Sequence, residues 1–435
     1  MKSGGVSDRR AVLRFLAASP ALAYAGAASG LFELLTQPLS AQVPRAKMAP
    51  RERRLAPSDE VVITSVKEAL TILDFYNVAR AKYPPLHHFW YTNNYYNETV
   101  YGNVEGFTKY SLRRRMLTGI DKIDLSVNLF GVTYPSPIYL APGGGGTLIY
   151  PGVDGNIALA KAAKTRGSLL IRGGGNLQPV NAARGEPVWG NLQGPVALDP
   201  KAIQRFADAG CPVLTWTIDN MGGGNMPGSV WMQQMGVKDF DREHHFPCNG
   251  CHTGVLRGRV KLDDPMSVIG AVGSVKIDAP FPNWDDIKRV RDMTKNMKLV
   301  LKGIVTREDA ALAVKNGVDG VMVSTHGGHE DNSGRGAIEA LPEVVQEVGG
   351  AIPVLFDSGV RSGVDVFKAF ALGATAVGVG RAHHWGLGAF GQEGVESAIR
   401  ILERELQAAM AQTNCTSIKK IRRDTLAVRD WTGPA

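Results

Sequence analysis

The chain has 435 residues, enough for one large α/β domain with extensions. Its composition, 44% hydrophobic and 21% charged, is that of a globular protein rather than a disordered or fibrous one. The formal net charge of +8 lies largely in local runs, "RAKMAPRERR" and "KKIRR". They lack the aromatic interleaving of a nucleic-acid face, so nucleic acid is excluded as a partner.

At the N-terminus, "SDRRAVLRFLAASPALAYAGAASG" carries Arg9 and Arg10, then a moderately apolar region ending in small residues. It resembles a twin-arginine export signal, with Asp8, Val12 and Arg14 departing from the usual pattern. Cleavage after Ala25 or Ala41 is compatible with it. An amphipathic or anchoring helix is the alternative. Twin-arginine export carries folded proteins, often with a cofactor already inside, so the expected workplace is the periplasm. No other run approaches the roughly eighteen apolar residues of a membrane span.

Residues 1–41 therefore read as signal and 42–58 as a linker punctuated by Pro44, Pro50 and Pro57. Residues 59–122 read as a helical extension containing the aromatic-rich "HHFWYTNNYYNETVY". From residue 123 to 412, short β-branched runs alternate with alanine-rich helical stretches, and 413–435 read as a tail.

The strand candidates are "SPIYLAPG", "SLLIRG", "EPVWGNLQ", "PVLTWTID", "LVLKGI", "GVMVST", "PVLFDSG" and "AVGVGR". Helical candidates between them include "DGNIALAKAAKTRG", "DPKAIQRFADAGC", "REDAALAVKNG" and "GVDVFKAFALGA". Eight apolar strands alternating with helices predict a (β/α)8 TIM barrel. Between the fourth and fifth strands, Asn220 to Lys298 is too long for a plain connection and reads as a lid-like insertion.

Active sites of such barrels lie where strands end. Here those ends carry "APGGGG" from Ala141, Thr217 and Asp219, Lys302, Ser324 and His326, "DSGVRSG" from Asp357, and Gly380 with Arg381. Glycines plus arginines after the seventh and eighth strands form a phosphate cradle of backbone N–H groups, a helix N-terminus and guanidinium charge.

From about Glu60 onward the chain resembles the FMN-dependent α-hydroxy-acid dehydrogenase/oxidase family, which includes glycolate and lactate oxidases, mandelate dehydrogenase and flavocytochrome b2. The densest match is "KGIVTREDAALAVKNGVDGVMVSTHGG", "ALPEVV" and "PVLFDSGVRSGVDVFKAFALGATAVGVGRAHHWGL"; "DKIDLSVNLFGVTYPSPIYLAP" matches less specifically.

The resemblance implies FMN at the C-terminal mouth of the barrel. Lys302 would lie near flavin N1. Ser324 and Thr217 would hydrogen-bond the ring system, with Asn191 standing where the family has a glutamine. Asp357, Gly359, Arg361, Gly380 and Arg381 would hold the ribityl phosphate. Ala141, Pro142 and Gly143 would supply backbone against the flavin. His326 would be the general base, oriented by Asp219.

The substrate side departs from the pattern. The family reads His-Gly-Gly-Arg, its arginine clamping the substrate carboxylate; here the fourth position is His329. A second carboxylate-binding arginine is expected after the fourth strand, where the chain has "NMGGGNMPGS". The family's substrate tyrosine after the third strand falls on or near Gln193, and its N-terminal one near Trp90 or Tyr91. Imidazole lacks the guanidinium's bidentate fork and permanent charge, so a small 2-hydroxy acid is not the expected substrate. His329 would serve another polar group on the substrate, act as a second acid–base group, or simply fill space. Arg335, among glycines, is a candidate to swing in and replace the lost charge.

"CNGCHTG" places Cys248, Cys251 and His252 in the spacing of c-type haem attachment. The alternatives are a local disulfide or free thiols, and a metal site with His244 or His245. The remaining cysteines, Cys211 and Cys415, suggest no framework.

The expected protein is a periplasmic FMN oxidoreductase of an alcohol-type carbon, passing electrons to a cytochrome, quinone or oxygen. Its relatives suggest a homo-oligomer. The rivals are a flavohaem dehydrogenase, a non-catalytic FMN- or ligand-binding barrel, and an FMN isomerase.

Overall fold

The computed structural model describes residues 62–82, 98–143, 154–219, 282–294 and 296–428. The signal and linker, Trp90, Tyr91, and the "CNGCH" residues Cys248, Cys251 and His252 lie outside them, as do 220–281 of the insertion.

Three short strands come first: β1 (Tyr110–Leu112), β2 (Val127–Leu129) and β3 (Val132–Tyr134). The barrel follows with β4 (Ile138–Leu140), β5 (Ile171–Gly173), β6 (Trp189–Gln193), β7 (Val213–Thr217), β8 (Lys298–Lys302), β9 (Gly320–Val323), β10 (Val354–Phe356) and β11 (Ala376–Val379). A last strand, β12 (Leu426–Val428), pairs antiparallel with β1, tying the C-terminal segment to the N-terminal extension. All eight barrel strands expected from the sequence are present. They lie side by side in the order β4-β11-β10-β9-β8-β7-β6-β5. At the seam, Leu140 N donates to Leu169 O at 2.9 Å and a parallel bridge joins Leu140 to Leu170, so the ring is nearly closed.

The strands form where apolar side chains can be buried on both faces. Every residue of β7, β9 and β11 is buried, which covering helices make possible. Inside the barrel the Tyr139 hydroxyl donates to Phe356 O at 3.0 Å. Gly378 makes room for that ring, since a Cβ there would stand 2.3 Å from it.

The helices are α1 (Asp74–Lys82), α2 (Glu98–Glu105), α3 (Gly155–Arg166), α4 (Gln178–Arg184), α5 (Pro200–Asp208), α6 (Asp286–Met293), α7 (Arg307–Lys315), α8 (Ala337–Val348), α9 (Gly363–Ala371) and α10 (Arg381–Thr413). Several start on side-chain caps. Asp154, Asp199, Thr306 and Ser362 each accept a first-turn backbone N–H. Such caps are worth about 1 kcal/mol each. The run of helix in α10 is broken at Phe390 and Gly391, whose φ of 61° and ψ of −138° are open to glycine alone.

Cys211 and Cys415 are buried free thiols. Among the described residues, no helix is long and apolar enough to cross a membrane.

Candidate active site

Sheet register assembles the site. Gln193 stands opposite Thr217, Thr217 opposite Lys302, and Lys302 opposite Met322, so the C-terminal ends of β6 to β9 arrive side by side. Asp219 follows two residues past β7, and Ser324 and His326 just past β9.

Lys302 is 2% exposed, and a buried cation needs a counter-charge. Its Nζ donates to Asp219 Oδ2 at 2.9 Å. The other carboxylate oxygen, Oδ1, lies 2.8 Å from His326 Nδ1. Burial alone would raise the Asp219 pKa, but the Lys302 and His326 charges and their hydrogen bonds outweigh it and hold the carboxyl well below the usual range. Ionised Asp219 keeps the proton on His326 Nδ1 and leaves Nε2 as the basic nitrogen. The expected grouping of Lys302, Asp219 and His326 is thus one hydrogen-bonded relay.

The loop carrying His326 is conformationally costly. His326, Gly327 and Gly328 have φ of 53°, 67° and 82° in succession. A histidine in the left-handed region stores strain, which packed surroundings must offset. Those surroundings include α2. Asn103 Oδ1 accepts from Thr325 Oγ1 and from Ala337 N, each at 3.0 Å. A Cβ on Gly328 would stand 2.7 Å from Val100 N. Ser358, itself at φ 87°, accepts from the backbone of Thr325 and of Gly327 through its hydroxyl. Neither Asn103 nor Ser358 is apparent from sequence alone, because both act across the fold on backbone groups.

A second polar cluster lies at β10. Ser324 Oγ and Ser358 Oγ both donate to Asp357 Oδ1, at 2.6 and 2.9 Å. Asp357 Oδ2 is buried without a protein donor. Thr217 Oγ1 donates to Asn191 Oδ1 at 2.9 Å. Gly380 precedes α10 and faces open space where a Cβ would be. The Arg361 guanidinium sits 5.0 Å from the centre of the Trp385 ring of α10. Ala141, Pro142 and Gly143 leave β4, and the His384 ring packs on Gly143. Gln193 is exposed at the end of β6.

Gly359 has a reason beyond anion binding. At φ 81°, a Cβ there would lie 2.1 Å from Asn103 O. Gly359→Ala should cost on the order of 2 kcal/mol or more and loosen α2 from the His326 loop. Thermal melts with and without added FMN would show a lower midpoint in both. An unchanged midpoint would mean that this crossing can relax.

Arg335 does not swing into the site. Its NH1 donates to Val305 O at 3.1 Å and to Glu343 Oε1 at 3.0 Å, and its NH2 to Glu339 O at 3.2 Å. The ion pair with Glu343 and two carbonyls fixes it beside α8, so it replaces no lost charge. The position expected to clamp a carboxylate behaves differently too. His329 Nε2 lies 3.3 Å from Arg381 NH2, while Arg381 NH1 donates to Gly327 O at 2.8 Å. Burial first, then Arg381, His326 and Lys302, hold His329 well below its ordinary pKa. Its imidazole is neutral.

The FMN-dependent dehydrogenase family model matches residues 79–428. A peroxisomal (S)-2-hydroxyacid oxidase, GLO3 of Arabidopsis thaliana, is 32% identical over 82% of this chain and 96% of its own. An L-lactate oxidase of Lysinibacillus sphaericus (strain C3-41) is 32% identical over 77% of this chain and 86% of its own. Among solved structures, an arginine-to-leucine variant of mandelate oxidase with 2-hydroxy-phenylacetamide matches with TM-score 0.67 and 28% identity, over 83% of this chain and 98% of that one. A flavocytochrome b2 variant with pyruvate shares the fold at TM-score 0.71 and 22% identity, over 85% of this chain and 90% of that one. The chain belongs to the FMN-dependent dehydrogenase family. It is an FMN oxidoreductase acting on CH–OH donors.

The residues present fit FMN. The donor-free oxygen of Asp357 suits a ribityl hydroxyl and would repel a phosphate. The open face at Gly380, at the start of a long helix and beside the Arg381 backbone, suits the phosphate.

Proposed function

We propose that this chain oxidises a carbinol other than a simple 2-hydroxy acid, with His326 as the base. One observation carries the reading. The relay of Lys302, Asp219 and His326 is complete, while the clamp position holds a neutral His329 and Arg335 is tied to Glu343.

When bound, FMN supplies the two-electron sink that turns CH–OH into C=O. Asp357 and Ser324 would hold its ribityl chain and ring, with Thr217 and Asn191 at the ring and Ala141 to Gly143 against its face. Gly359, Arg361, Gly380 and Arg381 would surround the phosphate. Lys302 would present its charge to the ring. His326 Nε2 would take the hydroxyl proton, and Asp219 would stabilise the imidazolium as it forms.

Export by the twin-arginine route, a periplasmic workplace, the domain boundaries given above and a homo-oligomeric state complete the proposal. The sequence "SDRRAVLRFLAASPALAYAGAASG" supports the first two. The electron acceptor is a cytochrome, a quinone or oxygen.

The test is the visible spectrum of protein purified from a periplasm with haem-maturation machinery, before and after anaerobic addition of candidate carbinols. Flavin bands that bleach with a non-carboxylate carbinol, and not with lactate or mandelate, would support the proposal. Bleaching by the 2-hydroxy acids at ordinary rates would overturn the substrate reading. An added covalent haem spectrum would make Cys248, Cys251 and His252 an internal relay. Flavin that no carbinol bleaches would favour a binding barrel.

A further inference from the structure

The loop that delivers His326 continues through His329 to Glu330, and Glu330 is the polar side chain the relay leaves unused. Its Oε2 is buried and receives no hydrogen bond. The charged groups acting on it are those of the relay: His326, Asp219 and Lys302. Both carboxylate oxygens of Asp219 are already taken, and the His329 ring is turned to Arg381. A buried carboxylate oxygen without a donor, in the same loop as the base that receives the substrate's proton and within reach of the relay's charges, is open to a donor from the substrate.

We propose that Glu330 is a specificity-determining residue that accepts a hydrogen bond from an N–H or ammonium group next to the oxidised carbon. The substrate class is then a neutral or cationic carbinol, such as a hydroxy-amide or an amino alcohol. This rests on the carbinol-oxidation reading of the same site.

The electrostatics agree. Burial raises the Glu330 pKa, and Asp219 adds to the rise, while His326 and Lys302 oppose it. A group in that balance gains from a positive or hydrogen-bond-donating partner and loses from a second carboxylate. His329, being neutral, does not itself offset the repulsion of a substrate carboxylate, and the Arg381 guanidinium behind it is already engaged with Gly327 O and the His329 ring. A 2-hydroxy acid would bring its charge towards Glu330; the matching amide would bring two N–H donors instead.

The experiment compares three probes of one shape on the FMN-loaded full chain: mandelate, 2-hydroxy-phenylacetamide and 2-amino-1-phenylethanol. Binding is read from the perturbed flavin spectrum, and turnover from anaerobic bleaching. The amide and the amine should bind at least about tenfold more tightly than mandelate, because a charge-assisted hydrogen bond replaces a charge repulsion. Glu330→Gln keeps an acceptor oxygen but removes the charge. It should weaken the amine by about tenfold or more and the amide by less than about threefold. Glu330→Leu should weaken both. Mandelate binding most tightly would overturn the assignment, as would a ranking unchanged in both variants, or loaded flavin that none of the probes perturbs. A chain that binds no flavin, or whose flavin is still reduced in His326→Ala, would instead sink the underlying site reading.

Discussion

His326→Ala should leave FMN bound and its visible bands intact, yet slow flavin reduction by substrate by about 10²- to 10⁴-fold, the usual worth of a positioned general base. The fold has little reason to change. The His326 side chain is 22% exposed, and its backbone N–H still donates to Ser324 Oγ at 3.1 Å. Lys302 keeps its partner on Asp219 Oδ2. The measurement is anaerobic stopped-flow bleaching at saturating substrate, with flavin content set by absorbance. An undiminished rate would mean that the proton leaves by another route. Asp219→Asn should be worse for stability than for flavin binding, since it strips a buried lysine of its counter-charge and lets the imidazole take the other tautomer.

Why His326 and its partners were legible in the sequence is a matter of placement. A lysine closing "LVLK" or a histidine just past "GVMVST" cannot be paid for by apolar packing, so its presence at a strand end already implies a polar site. Burial on both strand faces gave most of the eight runs a largely apolar character, and the alanine-rich stretches between them read as helices. Other features carry no such local mark. The β1 and β12 strands are three residues each, with no fully alternating pattern, and only their pairing across the chain makes them strands. Asn103 looks like any surface asparagine in a helix until Thr325 and Ala337 are placed against it. The break at Gly391 sits within an otherwise helical stretch. Glu330 is informative only because one of its oxygens ends buried without a donor, which no spacing rule encodes.

Acid should destabilise the folded chain earlier than its carboxylates alone would dictate. His383 and His384 are buried at the start of α10, their rings 4.2 Å apart. Burial, followed by the nearby Arg172 charge and opposed by the Val379 carbonyl, pushes His383 down to about 3. Burial, then His383 and Arg172, holds His384 well below its ordinary value. Both are neutral when folded, and both take up protons in the unfolded chain near pH 6.5. Below that pH the unfolded state binds more protons, so stability falls as pH falls. Two such protons correspond to about 3 kcal/mol per pH unit once the pH is well under 6.5. His329 acts in the same direction. Glu330 and Glu405 act in the opposite one: burial raises both, so they favour the folded chain below the unfolded carboxylate pKa and lose that contribution as pH rises. Asp219, held low, adds its own loss only below the ordinary carboxylate range. The steep interval should therefore lie between about pH 6 and pH 4. Denaturant midpoints at saturating FMN, taken at half-unit steps, would show it. Replacing His383 and His384 by Asn and Leu should flatten that slope even if the midpoint at pH 7 drops. A slope unchanged in the double variant would mean that these imidazoles are already protonated in the folded chain, each with a counter-charge beside it.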